Sequence, residues 1–305
     1  MKSPRFLLAL FTALPLVAFG ELTEEQLRIP LEKESPDPKL TKIVLIAGAP
    51  SNKAGQHEYF AGCALMMDWL KQTPGVWPVL VADGWPKNEA VLDGAKAVVV
   101  YADGGAKLSF LEPARWNRIK QLMDKGTGLV MLHQAVEVPE AQADEFKSWL
   151  GAVWQKDIGS RGHWDMEFSD FPKHPINRGV TTFAAPFDGW LYNLHFAAGA
   201  TPLLSGQVPD KARSTANAKE HVGRAEVVAW SFERPNGGRS FAFTGCDLHR
   251  NWSVESQRRF VTNGILWAAK VEVPANGAAV PFSPEALTRN LDAKPLPTPT
   301  AGVVK

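Results

Sequence analysis

The sequence predicts an α/β fold, a mostly parallel sheet flanked by helices, with added β-strands in the C-terminal half. Three observations predict it. Short apolar runs at 42–47, 95–101 and 128–133 are continuous rather than alternating, as in strands covered on both faces. Segments with helical spacing separate them. After residue 160 the pattern changes to short strand-like runs spaced by loops.

In order, residues 21–40 are polar and proline-bearing and read as a loose lead-in. Lys42–Ala47 is the first strand. A helix over 57–72 follows, with Phe60, Cys63, Ala64, Met67 and Leu70 on one stripe. Strands at 79–82 and 95–101 come next, then a helix over 115–125 stopped by Gly126. Gly128–His133 is the fourth strand and 140–150 the next helix. Runs at 163–168, 190–196, 226–232 and 239–244 read as strands, and 255–269 as the last helix. Beyond Val273 the chain is rich in Pro and Ala, and Ser283-Pro284 caps one short helix in a tail expected to wrap the surface or stay disordered. The organisation is thus a signal segment (1–20), the lead-in, one α/β domain (41–273) and a tail (274–305).

Residues 1–20 carry Lys2 and Arg5, an apolar stretch from Phe6 to Phe19 and the small-x-small site Ala18-Phe19-Gly20. That is the pattern of a secretion signal, too short to span a bilayer. Export to the periplasm or the outside follows, with no membrane attachment once the signal is removed. Loss of Lys2 and Arg5 leaves 31 basic against 32 acidic side chains. So even a balance offers no footprint for nucleic acid and no polybasic membrane patch. Cys63 and Cys246 are the only cysteines. Two are not a disulfide framework, and Cys63 reads as a buried free thiol.

Histidine marks the carboxyl ends of the buried strands. His57 lies one loop beyond Ile43–Ile46, His133 closes Gly128–Leu132, and His249 follows Phe241–Gly245. Ligands of open α/β sheets bind outside those ends, where imidazole ligates metals or moves protons near neutral pH.

Five segments carry the candidate chemistry, each with a plainer reading beside it. In GAPSNKAGQHE (48–58), Gly48 and Gly55 permit close backbone approach to a ligand, and His57 and Glu58 face it; otherwise these are polar residues at a helix start. The loop matches no nucleotide-binding spacing, and no nucleotide cofactor is expected. In LHQAVE (132–137), His133 is a general base or metal ligand with Glu137 as partner, or a structural histidine; no cysteine or serine stands there to act as nucleophile. In GHWDMEF (162–168), His163, Asp165 and Glu167 share one strand face, and that face is a site wall or simply solvated. In FDGWLYNLHF (187–196), Asp188, Trp190 and Tyr192 can meet a sugar, or belong to the core. In FTGCDLHRNW (243–252), Asp247 and His249 are two metal ligands or an orienting pair, with Trp252 nearby.

Together these segments resemble the ThuA-like (trehalose-utilisation) family, in the branch common among secreted proteins. The resemblance runs from about Lys42 to Gly277 and rests on IVLIAG…GQHEYFAGC, YADGG, LHQAVEVP, HWDMEFSDFPKHPINRG, DGWLYNLHF and GGRSFAFTG…LHRNW…NGILWAAKVEVP. It implies a flavodoxin-like, class I glutamine amidotransferase-like fold without the amidotransferase nucleophile, and use of trehalose and related disaccharides through 3-keto sugars. Three positions depart from the family pattern. Asn52 stands where a histidine is usual, Gly189 where an acid is usual, and Asp247 where another histidine is usual.

The expectation is an exported enzyme that hydrolyses or eliminates a (3-keto) disaccharide or glycoside. The alternative is a sugar-binding or scaffold module that kept the fold and lost the chemistry. Catalytic candidates are His133, Glu137, Tyr192 and Asp188. Substrate-binding candidates are Gly55, His57, Glu58, His163, Trp190 and Trp252. Candidates for a divalent metal, zinc or similar, are His57, His133, Asp247 and His249. The expected ligand is a small carbohydrate, with a sugar dehydrogenase as a possible partner in the same pathway.

Overall fold

The computed structural model describes residues 21–294. The predicted signal at 1–20 and the end of the tail, 295–305, lie outside the described residues. Within them the chain builds a seven-stranded sheet. Its strands are β1 (Thr41–Ala47), β2 (Val76–Val81), β3 (Ala97–Tyr101), β4 (Gly128–Leu132), β9 (Thr201–Gly206), β10 (Glu226–Glu233) and β11 (Arg239–Phe243). Their order across the sheet is β2-β1-β3-β4-β11-β10-β9. β1 pairs in parallel with β2 and β3, and β4 with β3 and β11, while β10 is antiparallel to both its neighbours. The first five positions have the flavodoxin-like order.

Helices cover both faces. α1 (Tyr59–Leu70) and α4 (Glu255–Ala268) pack on one side, α2 (Pro113–Asp124) and α3 (Glu140–Leu150) on the other. The central strands have apolar side chains on both faces, which is why their runs are continuous in the sequence. α1 is buried all round except at Asp68, rather than along one stripe. The tail explains this: Trp69 donates its indole N–H to the Pro281 carbonyl, so the outer side of the helix is covered as well. α2 begins two residues before the predicted Arg115, with Pro113 in its first turn and the Glu112 side chain accepting from the Arg115 amide.

The second half departs most from expectation. β6 (Ser160–Phe168) and β7 (Phe183–Tyr192) form a separate antiparallel ribbon. The predicted strand over 190–196 therefore starts earlier and breaks at Asn193, whose φ is 56°. The remainder, β8 (His195–Phe196), pairs with β5 (Ala152–Val153). β9 was not anticipated. It is an edge strand paired only with β10, the place where a strand tolerates Pro202.

The lead-in is tied down rather than loose. Gln26 is buried and donates to the Asn290 carbonyl and to Asp292, while Leu31 bridges to Leu80 on the β2 edge. The described part of the tail is likewise fixed, with a short turn of 3₁₀ helix at Pro284–Thr288. Both cysteines are buried free thiols, and burial pushes their pKa values up. Among the described residues no helix is long and apolar enough to cross a membrane.

Candidate metal centre

Four strands deliver their carboxyl ends to one rim of the sheet, where β2 and β3 flank β1 and the strand order reverses. β1 leads into the loop 48–58, β3 into Asp103, β4 into His133 and β11 into Thr244–His249. Two of these loops zip together. The His57 amide donates to the Asp247 carbonyl at 3.1 Å, the His249 amide to the Gly55 carbonyl at 3.0 Å, and Gln56 bridges Leu248. His57 and His133 both take left-handed backbone angles, with φ of 50° and 56°. Such strain in non-glycine residues persists only where surroundings over-determine it.

The two imidazoles are oriented by their Nδ1 atoms. His57 Nδ1 lies 2.8 Å from Asp103 Oδ1, which also accepts from Ser51 Oγ at 2.9 Å and the Tyr59 hydroxyl at 2.6 Å. His133 Nδ1 lies 3.1 Å from the Thr244 carbonyl. A carbonyl only accepts, so the proton of His133 sits on Nδ1. Both rings consequently aim Nε2 at the same point, 3.1 Å from each other. Asp247 Oδ1 completes the group, 3.3 Å from His57 Nε2 and 3.8 Å from His133 Nε2. That oxygen is buried and accepts no hydrogen bond. Its partner Oδ2 takes His163 Nε2 at 2.5 Å and Gln56 Nε2 at 3.2 Å.

Electrostatics follow from this packing. Burial opposes charge on His57, but Asp103 and Asp247 outweigh it and raise its pKa. Burial, then the charge of His57, pushes His133 down to about 4. Asp103 and Asp247 are desolvated yet held well below the usual carboxylate range, Asp103 chiefly by hydrogen bonds from His57 and Tyr59, Asp247 by the hydrogen bond from His163 and its closeness to His57 and His133. The bond to Asp247 raises His163.

Two imidazole lone pairs and a carboxylate oxygen facing one another require positive charge between them, a shared proton or a cation. The donor set fits a cation. With metal–ligand bonds of ~2.1 Å, two ligand atoms on one ion stand roughly 3.0–3.4 Å apart, the range of the 3.1 and 3.3 Å separations here. All three ligand atoms lie within 4.8 Å of one another. Each imidazole carries the outer hydrogen bond typical of metal-bound histidine.

The structure thus brings together His57, His133, Asp247 and, through Asp247, His163. The other candidates sit elsewhere. His249 is buried beside this group rather than in it. Asp188 is fully buried and accepts from the amides of Gly189, Cys246 and Leu248, so it braces the loop that carries Asp247. Glu58 accepts from the Gly55 and Asp292 amides, which makes it an anchor for the tail. Lys294 reinforces that anchor, its buried ammonium donating to the Gln56 and His57 carbonyls. Glu137 pairs with Arg161. Tyr192, Trp190 and Trp252 are core side chains, with Trp190 donating to the Trp164 carbonyl and Trp252 packed on Trp69 and Tyr101. Gly55 has φ of 83°, which a glycine adopts freely.

Sequence reasoning missed Asp103, Ser51 and Tyr59. Asp103 had a legible signal, an acid two residues past a buried strand end. Asn52 Nδ2 lies 3.5 Å from His57 Nε2, so the residue at the departing position still borders the centre.

A family model described as ThuA, trehalose utilisation, matches residues 49–268. Among solved structures, a ThuA-like protein from Bacteroides uniformis is similar with a TM-score of 0.56 and 14% identity, over 77% of this chain and 94% of that one. One from Parabacteroides merdae is similar with a TM-score of 0.55 and 16% identity, over 79% and 96%. A glutamine amidotransferase from Thermotoga maritima aligns with a TM-score of 0.40 and 10% identity, over 75% and 96%. No curated protein sequence matches the chain. The fold is a mostly parallel, helix-flanked sheet.

Proposed function

The chain belongs to the ThuA (trehalose-utilisation) family, and from that premise we propose an exported, cation-dependent enzyme acting on a 3-keto glycoside or disaccharide. His57, His133 and Asp247 would hold the divalent ion, zinc or similar. One observation carries the reading: two oriented imidazole Nε2 atoms 3.1 Å apart, with a buried carboxylate oxygen that has no other partner. Export rests on the segment at 1–20. A dehydrogenase that oxidises C3 of the sugar is the class of reaction that supplies the substrate.

A divalent ion at this position supplies Lewis acidity toward the sugar's C3 carbonyl oxygen. The remaining work falls to the chain's own groups. His133 has no ring nitrogen open to solvent, which favours the ligand half of its expected role over the base. His163 suits proton transfer better: its side chain is 41% exposed and its Nε2 is fixed on Asp247. Nδ1 is then free to take the C2 proton, acidified by the neighbouring carbonyl. The C2–H electron pair forms the C1–C2 double bond as the C1–O bond breaks, and His163 returns the proton to the departing oxygen. Addition of water to that double bond makes the net reaction a hydrolysis. Gln56 and Asp103 hold Asp247 and His57 in place.

The test is incubation of the protein with 3-keto-trehalose in heavy water, followed by NMR. Release of glucose unlabelled on carbon, together with a 3-keto sugar carrying deuterium at C2, abolished by chelation and restored by zinc, is the expected result. Metal-loaded protein that leaves the substrate intact contradicts it. A second reading, a sugar-binding module with a structural ion, draws on burial: His133 is only 2% and Asp247 1% exposed. Calorimetric binding of trehalose without any turnover would favour that module.

A further inference from the structure

Beside the centre lies a hollow of ≈ 340 Å³, lined by Gln56, Phe187, Leu248, His249, Leu287 and Leu291 among others. Gln56 is common to both, since its amide holds Asp247 Oδ2. Phe187 is the other link. Its ring stacks on that of His163 with centroids 5.8 Å apart and planes at 29°.

Phe187 is unusual twice over. It is 55% exposed, one of three large apolar side chains so placed among the described residues. Its φ is 48°, a left-handed angle that an aromatic residue takes only under constraint. The constraint is visible. The Phe187 amide donates to Asp165 Oδ1 at 2.7 Å, and the Pro186 carbonyl before it accepts from Asn251 Nδ2 at 3.2 Å. The chain is thus pinned on both sides so that the ring stands in solvent against His163. An aromatic face kept bare at the mouth of a polar centre suits a ring with apolar C–H faces.

The opposite wall supplies complementary groups. His249 is 3% exposed, and neither ring nitrogen makes a well-formed hydrogen bond, although the Leu287 backbone lies nearby. A buried imidazole without a partner is costly, and this one lines the hollow. Leu287 and Leu291 come from the tail, which Lys294 and Asp292 fasten to the first loop.

We propose that this hollow is the subsite for the leaving-group ring of the glycoside, with Phe187 as its stacking platform and His249 as a hydrogen-bond partner for a ring hydroxyl. The inference rests on the carbohydrate reading above for the reaction, but its test does not depend on turnover. Phe187 is exposed, so Phe187→Ala leaves the core untouched. For that variant, kcat/KM for 3-keto-trehalose relative to methyl 3-keto-glucoside, which lacks the second ring, falls ~tenfold through KM. Phe187→Trp restores the ratio. An unchanged ratio overturns the subsite.

If the wild-type protein turns over neither compound, calorimetry with trehalose and phenyl glucoside decides. Binding to the wild type that weakens about tenfold in Phe187→Ala and recovers in Phe187→Trp supports the subsite, while the proposed reaction fails alone. No binding to the wild type, or equal affinity in all three proteins, overturns the subsite as well.

Discussion

Gly189 and Asp247 exclude one another's side chains. A Cβ on residue 189 would lie 2.6 Å from Asp247 Oδ2 and 2.8 Å from its Cβ. The sequence resemblance marks these as two of the three positions where the chain departs from the family pattern, and in the structure they meet. The missing side chain at 189 is what lets the carboxylate at 247 turn toward His57, His133 and His163.

Gly189→Ala should therefore displace the Asp247 carboxylate. Overpacking of this kind costs about 1–3 kcal/mol, and the variant should no longer gain thermal stability on addition of zinc. Gly189→Ala with Asp247→Gly removes the facing Cβ as well as the carboxylate and so relieves the collision, recovering the melting temperature of the metal-free protein but not the response to zinc. Calorimetric melts with and without the ion separate the two effects.

Asp103 holds His57 by Nδ1, the ring nitrogen that faces away from His133 Nε2 and the proposed ion site. Asp103→Asn keeps the shape and weakens the hold on His57 Nδ1. The expected outcome is a ~10–100-fold loss of zinc affinity, read by competition with a coloured chelator. Retained affinity would mean that Ser51 and Tyr59 orient the imidazole unaided.

His163 touches Asp247 only through the oxygen that faces away from the two imidazoles. His163→Ala should keep the ion at full stoichiometry while kcat on a keto-glycoside falls ~10²–10⁴-fold. Metal analysis and turnover on the same sample check both halves. Loss of the ion together with activity would make His163 a support for Asp247 rather than the proton carrier.

Lys294 ties the tail to the loop that carries His57. Its ammonium is buried 3.4 Å from Glu58 and 3.4 Å from Asp292. Lys294→Met leaves two buried carboxylates without their cation, at a cost of about 3–5 kcal/mol. Urea unfolding should show this as a lower midpoint with an unchanged slope.

How much of this the sequence carries depends on the kind of information needed. The parallel sheet was legible because strands buried on both faces leave unbroken apolar runs, as Val98–Val100 and Leu129–Leu132 do. His57, His133 and Asp247 were legible as residues just past strand ends. Their convergence was not, since it depends on strands distant in sequence lying side by side. The role of aromatic residues misled for a related reason. Trp190 and Trp252 look like sugar platforms in a motif, yet both are core, whereas Phe187 reaches solvent only because Asp165 and Asn251 pin its backbone. Glu58 read as a ligand-facing acid because its partner, Lys294, comes from a tail whose composition suggests no fixed structure.

The central claim is that a cation rather than a shared proton sits between His57, His133 and Asp247. Elemental analysis of the purified protein, beside His57→Ala, His133→Ala and Asp247→Ala, tests it most directly. One equivalent of a divalent metal per wild-type chain and none in any of the three variants is the predicted result. Metal-free wild-type protein that takes up no zinc on titration, and melts at the same temperature with or without it, would contradict it.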